Sequence, residues 1–206
     1  MQQFLWVAAA HFLALVSPGP DFFLIARTAM AAGWRGATGA CLGIAVANGI
    51  FIAIAFAGLG VLQPDSAGFA LVQAAGCAYL LYLGVSFLRH AGGQTLSTAG
   101  PAAGQASGWW RGAGMGLACG LLNPKNALFY ATLATLLRSQ GAEPGMLAAY
   151  GLWMFSVVLI WDVAMAAAIG HPVILRRFSR LLPTLERACG GVLIVLAGVM
   201  AWHAFA

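Results

Sequence analysis

Charge is what this chain has least of. Only 7% of its 206 residues are Asp, Glu, Lys or Arg, while 62% are hydrophobic. A soluble domain carries about 25% charged residues. So few charges cannot cover a globular surface, and the surface must face lipid instead. Cysteine is scarce too. Cys41, Cys77, Cys119 and Cys189 all lie inside apolar runs, and none forms a CxxC pair. A thiol-disulfide relay needs paired reactive cysteines in the first and fourth spans, and the position matching Cys119 in span one is Leu13. A soft-metal exporter wants clustered Cys and His, and the four histidines are scattered. Export of a cation or metal, and a thiol relay, stand only as weaker alternatives. The net charge of +5 does not signal nucleic acid, because the basic residues fall in loops with no basic and aromatic surface. No cofactor or metal site is expected.

Long apolar runs are what the chain has in plenty. A spanning helix needs about 20 mostly apolar residues. Six runs qualify, roughly 4–30, 37–62, 67–88, 112–137, 145–170 and 186–206. The opening stretch has no basic n-region and no small-residue cleavage site, so it reads as a retained first span. Residues 89–111 are rich in Gly, Ala, Ser, Thr and Gln, a flexible-linker composition. The expected organisation is therefore a first three-helix repeat over 1–88, a cytoplasmic linker over 89–111 and a second repeat over 112–206. The fold class is all-α, a polytopic membrane protein of six transmembrane helices.

Arg27, Arg35, Arg89, Arg111, Arg176, Arg177, Arg180 and Arg187 fall between spans one and two, three and four, and five and six. The positive-inside rule then puts the linker in the cytoplasm and both termini outside. Gly112, Gly116 and Gly120 repeat every fourth residue, as do Gly39 and Gly43. Such stripes let two helix backbones approach closely. They could pack within one chain or between two, so a homo-oligomer stays open.

Two of the runs are interrupted where a helix should be continuous. The first contains Ser17-Pro18-Gly19-Pro20-Asp21 and the fourth contains Asn123-Pro124-Lys125-Asn126. Proline inside a helix removes a hydrogen bond and costs about 3 kcal/mol or more. Each break lies in the first span of a three-span set, and an odd number of spans turns the second set upside down. Paired breaks at matching places in inverted repeats point to a transporter's binding site. Lipid cannot satisfy the freed backbone groups, which are tolerated only when buried in protein or lining a wet cavity. A restarted half-helix offers N–H groups and a positive dipole end to an anion. The preceding half offers carbonyls to a cation.

The charged residues at membrane depth are therefore the candidates. Asp21 follows the first break, as a helix cap or as a proton carrier and counter-ion to a substrate ammonium. Lys125, in the second break, suits a carboxylate or freed carbonyls. Asp162 lies in the fifth span, roughly 22 Å from the outer face, and Asp21 lies roughly 25 Å from its own outer end at 1.5 Å per residue. The two acids could face one another across a cavity. Asn123 and Asn126 either line the site or satisfy the break. Asn48 and Gln73 serve as interhelical glue, and Asn48 is kept as a site candidate. His11, a lone histidine, reads as packed rather than as a ligand.

Three segments carry a family resemblance: SPGPDFFLIARTAMAAGWRGATGACLG, AAGCAYLLYLGVSFLR and LLNPKNALFYATL. Their order and spacing resemble the lysine and threonine/homoserine exporter family of bacterial inner membranes. The resemblance implies six spans, efflux of amino acids or close derivatives, and coupling to protons. It points to Pro18, Gly19, Pro20, Asp21, Asn123, Pro124 and Lys125 as the motif positions. Two positions depart from it: many relatives carry Asn in place of Asp21, and many carry His where Phe51 aligns. The implied partners are a small amino-acid substrate, protons and membrane lipid.

Overall fold

The structure is a computed structural model that describes residues 2–17, 19–61, 67–91, 108–139, 141–169 and 171–205. Pro18, Asp65 and most of the linker, 92–107, lie outside the described residues. The described residues form seven α-helices: α1 (Gln2–Val16), α2 (Pro20–Val61), α3 (Ala67–His90), α4 (Trp109–Leu121), α5 (Pro124–Ser139), α6 (Pro144–Ile169) and α7 (Pro172–Phe205). Two are long and apolar enough to cross a membrane, over Pro20–Gly58 and Gly145–Ile169. Large apolar side chains such as Leu5, Leu71, Leu152, Ile160 and Val195 are exposed, as lipid-facing positions should be.

Both expected breaks are present. α1 stops at Val16 and α2 restarts at Pro20; α4 stops at Leu121 and α5 restarts at Pro124. Proline opens both restarted helices, where its missing N–H costs nothing. The expected connection between spans one and two, residues 31–36, is a kink inside one helix rather than a loop. α2 has 42 residues, roughly 63 Å of helix at 1.5 Å per residue, about twice the hydrocarbon thickness. It is divided at Gly33, whose φ of 73° and ψ of 167° are not helical. A positive φ favours glycine, which has no Cβ. The limb before Gly33 and the limb after it fold back together, since Asp21 and Asn48 line one small cavity.

The connection between spans five and six is corrected. Residues 171–185 were expected as a loop holding arginines. Instead α7 begins at Pro172, and Pro183 lies inside it. Proline there removes a helix hydrogen bond, and Arg180, Leu181 and Thr184 beside it are exposed. The helices also encroach on the expected linker, with α3 running to His90 and α4 starting at Trp109.

The glycine stripes face each other within the chain. A Cβ on Gly43 would overlap the Ala113 carbonyl, and one on Gly116 would overlap the Ala40 carbonyl. α2 and α4 therefore meet backbone to backbone, with Gly39 against Trp109 and Gly120 against Ala47. Trp109 Nε1 donates to Thr38 Oγ1 at 2.9 Å at one end of this seam. A second close approach joins α3 and α7 at Gly84 and Gly190. A buried apolar cluster of Ile25, Cys41, Ile44 and Val158 ties both limbs of α2 to α6.

Candidate functional site

The two breaks brace one another. Lys125, in the first turn of α5, sends its ammonium to the end of α1. Nζ donates to the carbonyls of Ala14 at 3.0 Å and Ser17 at 2.8 Å, and to Ser17 Oγ at 3.4 Å. In return, Asp21 in the first turn of α2 accepts from the other break. Its Oδ2 takes Asn126 Nδ2 at 2.7 Å and Asn123 Nδ2 at 3.1 Å. Its Oδ1 faces Cys119 Sγ at 3.5 Å. The cation thus sits at the negative end of α1 and the acid at the positive end of α2. Each is the sign that helix end favours, by about 0.3–1 kcal/mol and up to ~2 when partly buried.

Asn123 has a second task. Its Oδ1 accepts the Lys125 backbone N–H at 3.1 Å, which caps α5 from the residue before it. The sequence reading left Asn123 and Asn126 between lining and capping. Asn123 caps and is buried beside Asp21, whereas Asn126 binds Asp21 and also lines the cavity.

That cavity, of about 50 Å³, lies between the breaks. Ser17, Gly19, Asp21, Lys125 and Asn126 contribute from the two breaks. Asn48 lines it from the second limb of α2, and Asp162 from α6. The expectation that Asp21 and Asp162 look into one space is met. Asn48 Nδ2 also donates to the Ile44 carbonyl of its own helix at 2.8 Å. Gly19 lies under Lys125, where a Cβ would stand 3.4 Å from Nζ. Pro20 and Pro124 start their helices, and Pro20 is exposed. Pro18 falls outside the described residues.

Several lining residues escaped the sequence reading. His11 is 1% exposed and lines the cavity, with Nε2 3.4 Å from the Tyr130 hydroxyl. It also packs among the rings of Phe129, Tyr130 and Trp153, so the expectation of a packed histidine holds but is incomplete. Tyr130 and Trp161 complete the wall. A helical-face count could have found them: His11, Ala14 and Leu15 share a face of α1, as Val158, Trp161, Asp162 and Met165 share a face of α6. A larger apolar groove of about 620 Å³ between α2 and α6, lined by Ile52, Phe56, Leu152 and Phe155, holds none of the break residues.

Broken membrane helices that hold each other's charges around a polar cavity define a transport protein rather than a lipid-filled scaffold. Residues 12–203 match the LysE type translocator family, and the chain belongs to it. The threonine efflux protein of Escherichia coli (strain K12) is 29% identical over 192 residues, covering 92% of each chain. The leucine efflux protein of Klebsiella pneumoniae subsp. pneumoniae is 31% identical over 130 residues, covering 61% of this chain and 58% of its own. The homoserine/homoserine lactone efflux protein of Salmonella typhi is 32% identical over 122 residues, covering 59% of this chain and 57% of its own. No solved structure matches the chain.

Proposed function

We propose that this protein exports amino acids or close derivatives from the cytoplasm across the bacterial inner membrane, in exchange for protons. The observation that carries the reading is the pair of cross-braced breaks around a cavity lined by two acids, Asp21 and Asp162. The efflux proteins among its relatives supply the cargo class.

In this reading the chain has six spans in two inverted repeats, 1–88 and 112–206, joined by a cytoplasmic linker. α1 with the first limb of α2 is span one, the second limb is span two, and α3 is span three. α4 with α5 forms span four, and α6 and α7 complete the second repeat. The exposed Arg27, Arg35, Arg89 and Arg111 fit a cytoplasmic side, with both termini outside. An acid in the cavity takes a proton while open to the outside, weakens its hold on the substrate ammonium and releases it. Facing inward, it loses the proton and binds substrate again. Rocking of helices around the cavity supplies alternating access.

The test is transport by purified protein in liposomes under an imposed pH gradient, with labelled threonine, homoserine, leucine and lysine. Gradient-dependent movement of one class is the expected result. Protein shown to be folded that moves none of them under any gradient would remove amino-acid export.

A further inference from the structure

The two acids of the cavity do not have equal freedom. Asp21 is fully engaged: Oδ1 faces the Cys119 thiol, and Oδ2 accepts from both Asn123 and Asn126. Lys125 is engaged as well, its three hydrogen bonds all going to the end of α1. Asp162 differs. It is 6% exposed, and its buried Oδ2 has no hydrogen-bond partner among the described residues. Across the same cavity, His11 Nδ1 is also buried without a partner.

A buried carboxylate oxygen without a partner is expensive, and so is an unpaired ring nitrogen. Native proteins satisfy nearly all such atoms, so two left open on residues that line one cavity call for a ligand with matching groups. An α-amino acid head group has them. Its ammonium answers Asp162. When the Tyr130 hydroxyl donates to Nε2, Nδ1 carries the proton and can donate to the substrate carboxylate.

We infer that Asp162 and His11 form the head-group clamp, Asp162 taking the ammonium and His11 the carboxylate, while Asp21 and Lys125 brace the breaks. The clamp rests on the export reading above and sharpens it. With both unpartnered polar atoms given to the head group, the side chain is left with Asn48 and a mostly apolar wall that includes Phe22, Ile25, Ile44, Phe129 and Met165. The substrate side chain is therefore uncharged, and lysine is rejected.

The experiment compares wild type, Asp162→Asn, His11→Gln and Asp21→Asn in liposomes. The probes are threonine, leucine, lysine, N-acetylthreonine and threoninamide. Wild type should move threonine or leucine in preference to lysine and to both blocked forms. Asp162→Asn should raise KM for the free amino acid about tenfold or more, and should lose the discrimination against N-acetylthreonine. His11→Gln should lose the discrimination against threoninamide. Melting separates binding from bracing. Asp162→Asn should melt no lower than wild type, since its buried Oδ2 has no hydrogen bond to lose, whereas Asp21→Asn should melt lower. A wild-type KM in both Asp162→Asn and His11→Gln, or lysine as the preferred cargo, would overturn the clamp while leaving export intact. Wild-type vesicles that move no amino acid would overturn export itself and the clamp with it.

Discussion

The two helix breaks look alike in sequence and are satisfied in opposite ways. The second is nearly self-sufficient. Leu122 N–H returns to the Ala118 carbonyl at 2.9 Å and Asn123 N–H to the Gly120 carbonyl at 3.2 Å, while Asn123 caps α5. The first also returns an N–H, from Ser17 to the Leu13 carbonyl at 3.1 Å, but its Ala14 and Ser17 carbonyls are met by Lys125 from the other break. One break is thus a donor and the other a recipient. The lesson is that a broken membrane helix need not carry its own caps, provided that a second break is built to supply them.

The largest way to upset this asymmetry is Lys125→Met. It leaves two buried carbonyls without their donor, at about 1–3 kcal/mol each. We expect a fall in stability of about 3 kcal/mol or more, read from thermal unfolding in detergent. An unchanged midpoint would mean that the first break does close itself. Next comes Gly116→Val, which forces a side chain into the Ala40 backbone and should cost about 1–3 kcal/mol. Gly114→Val is its control, because a Cβ there meets nothing. Asn123→Ala removes a cap and one bond to Asp21, about 2 kcal/mol together. It should exceed the loss in Asn126→Ala, which removes only a bond to Asp21. Equal losses would show that the cap contributes little. Smallest of all is Ser17→Ala, within about 0.5 kcal/mol: it keeps the carbonyl and deletes only the 3.4 Å hydroxyl contact. A loss as large as that of Lys125→Met would make the hydroxyl, rather than the backbone, the recipient.

Much of this arrangement was legible in the chain. Proline and charge inside apolar runs are rare enough to mark both breaks, and the glycine spacing marks a close helix contact. What stayed hidden depends on how each helix is rotated and where it ends. Gly33 turns α2 within one residue, so GWRG reads as an ordinary loop until the backbone is seen. The arginines and Pro183 read as a connection, yet one helix runs through both. The partnership of Lys125 with α1, and the openness of Asp162 against the engagement of Asp21, arise from contacts more than a hundred residues apart in sequence. Local pattern carries no trace of them.

The seam between α2 and α4 has a consequence for how this protein can change. A contact built by leaving side chains out has no room for improvement, since every substitution at Gly43 or Gly116 adds atoms where a backbone already lies. Sequence drift is therefore confined to the faces that look away, such as those of Gly58 and Gly114, where a new Cβ meets open space. Each helix of the seam carries a fixed edge and a free one, and any adaptation to a different membrane would have to be written on the free edge.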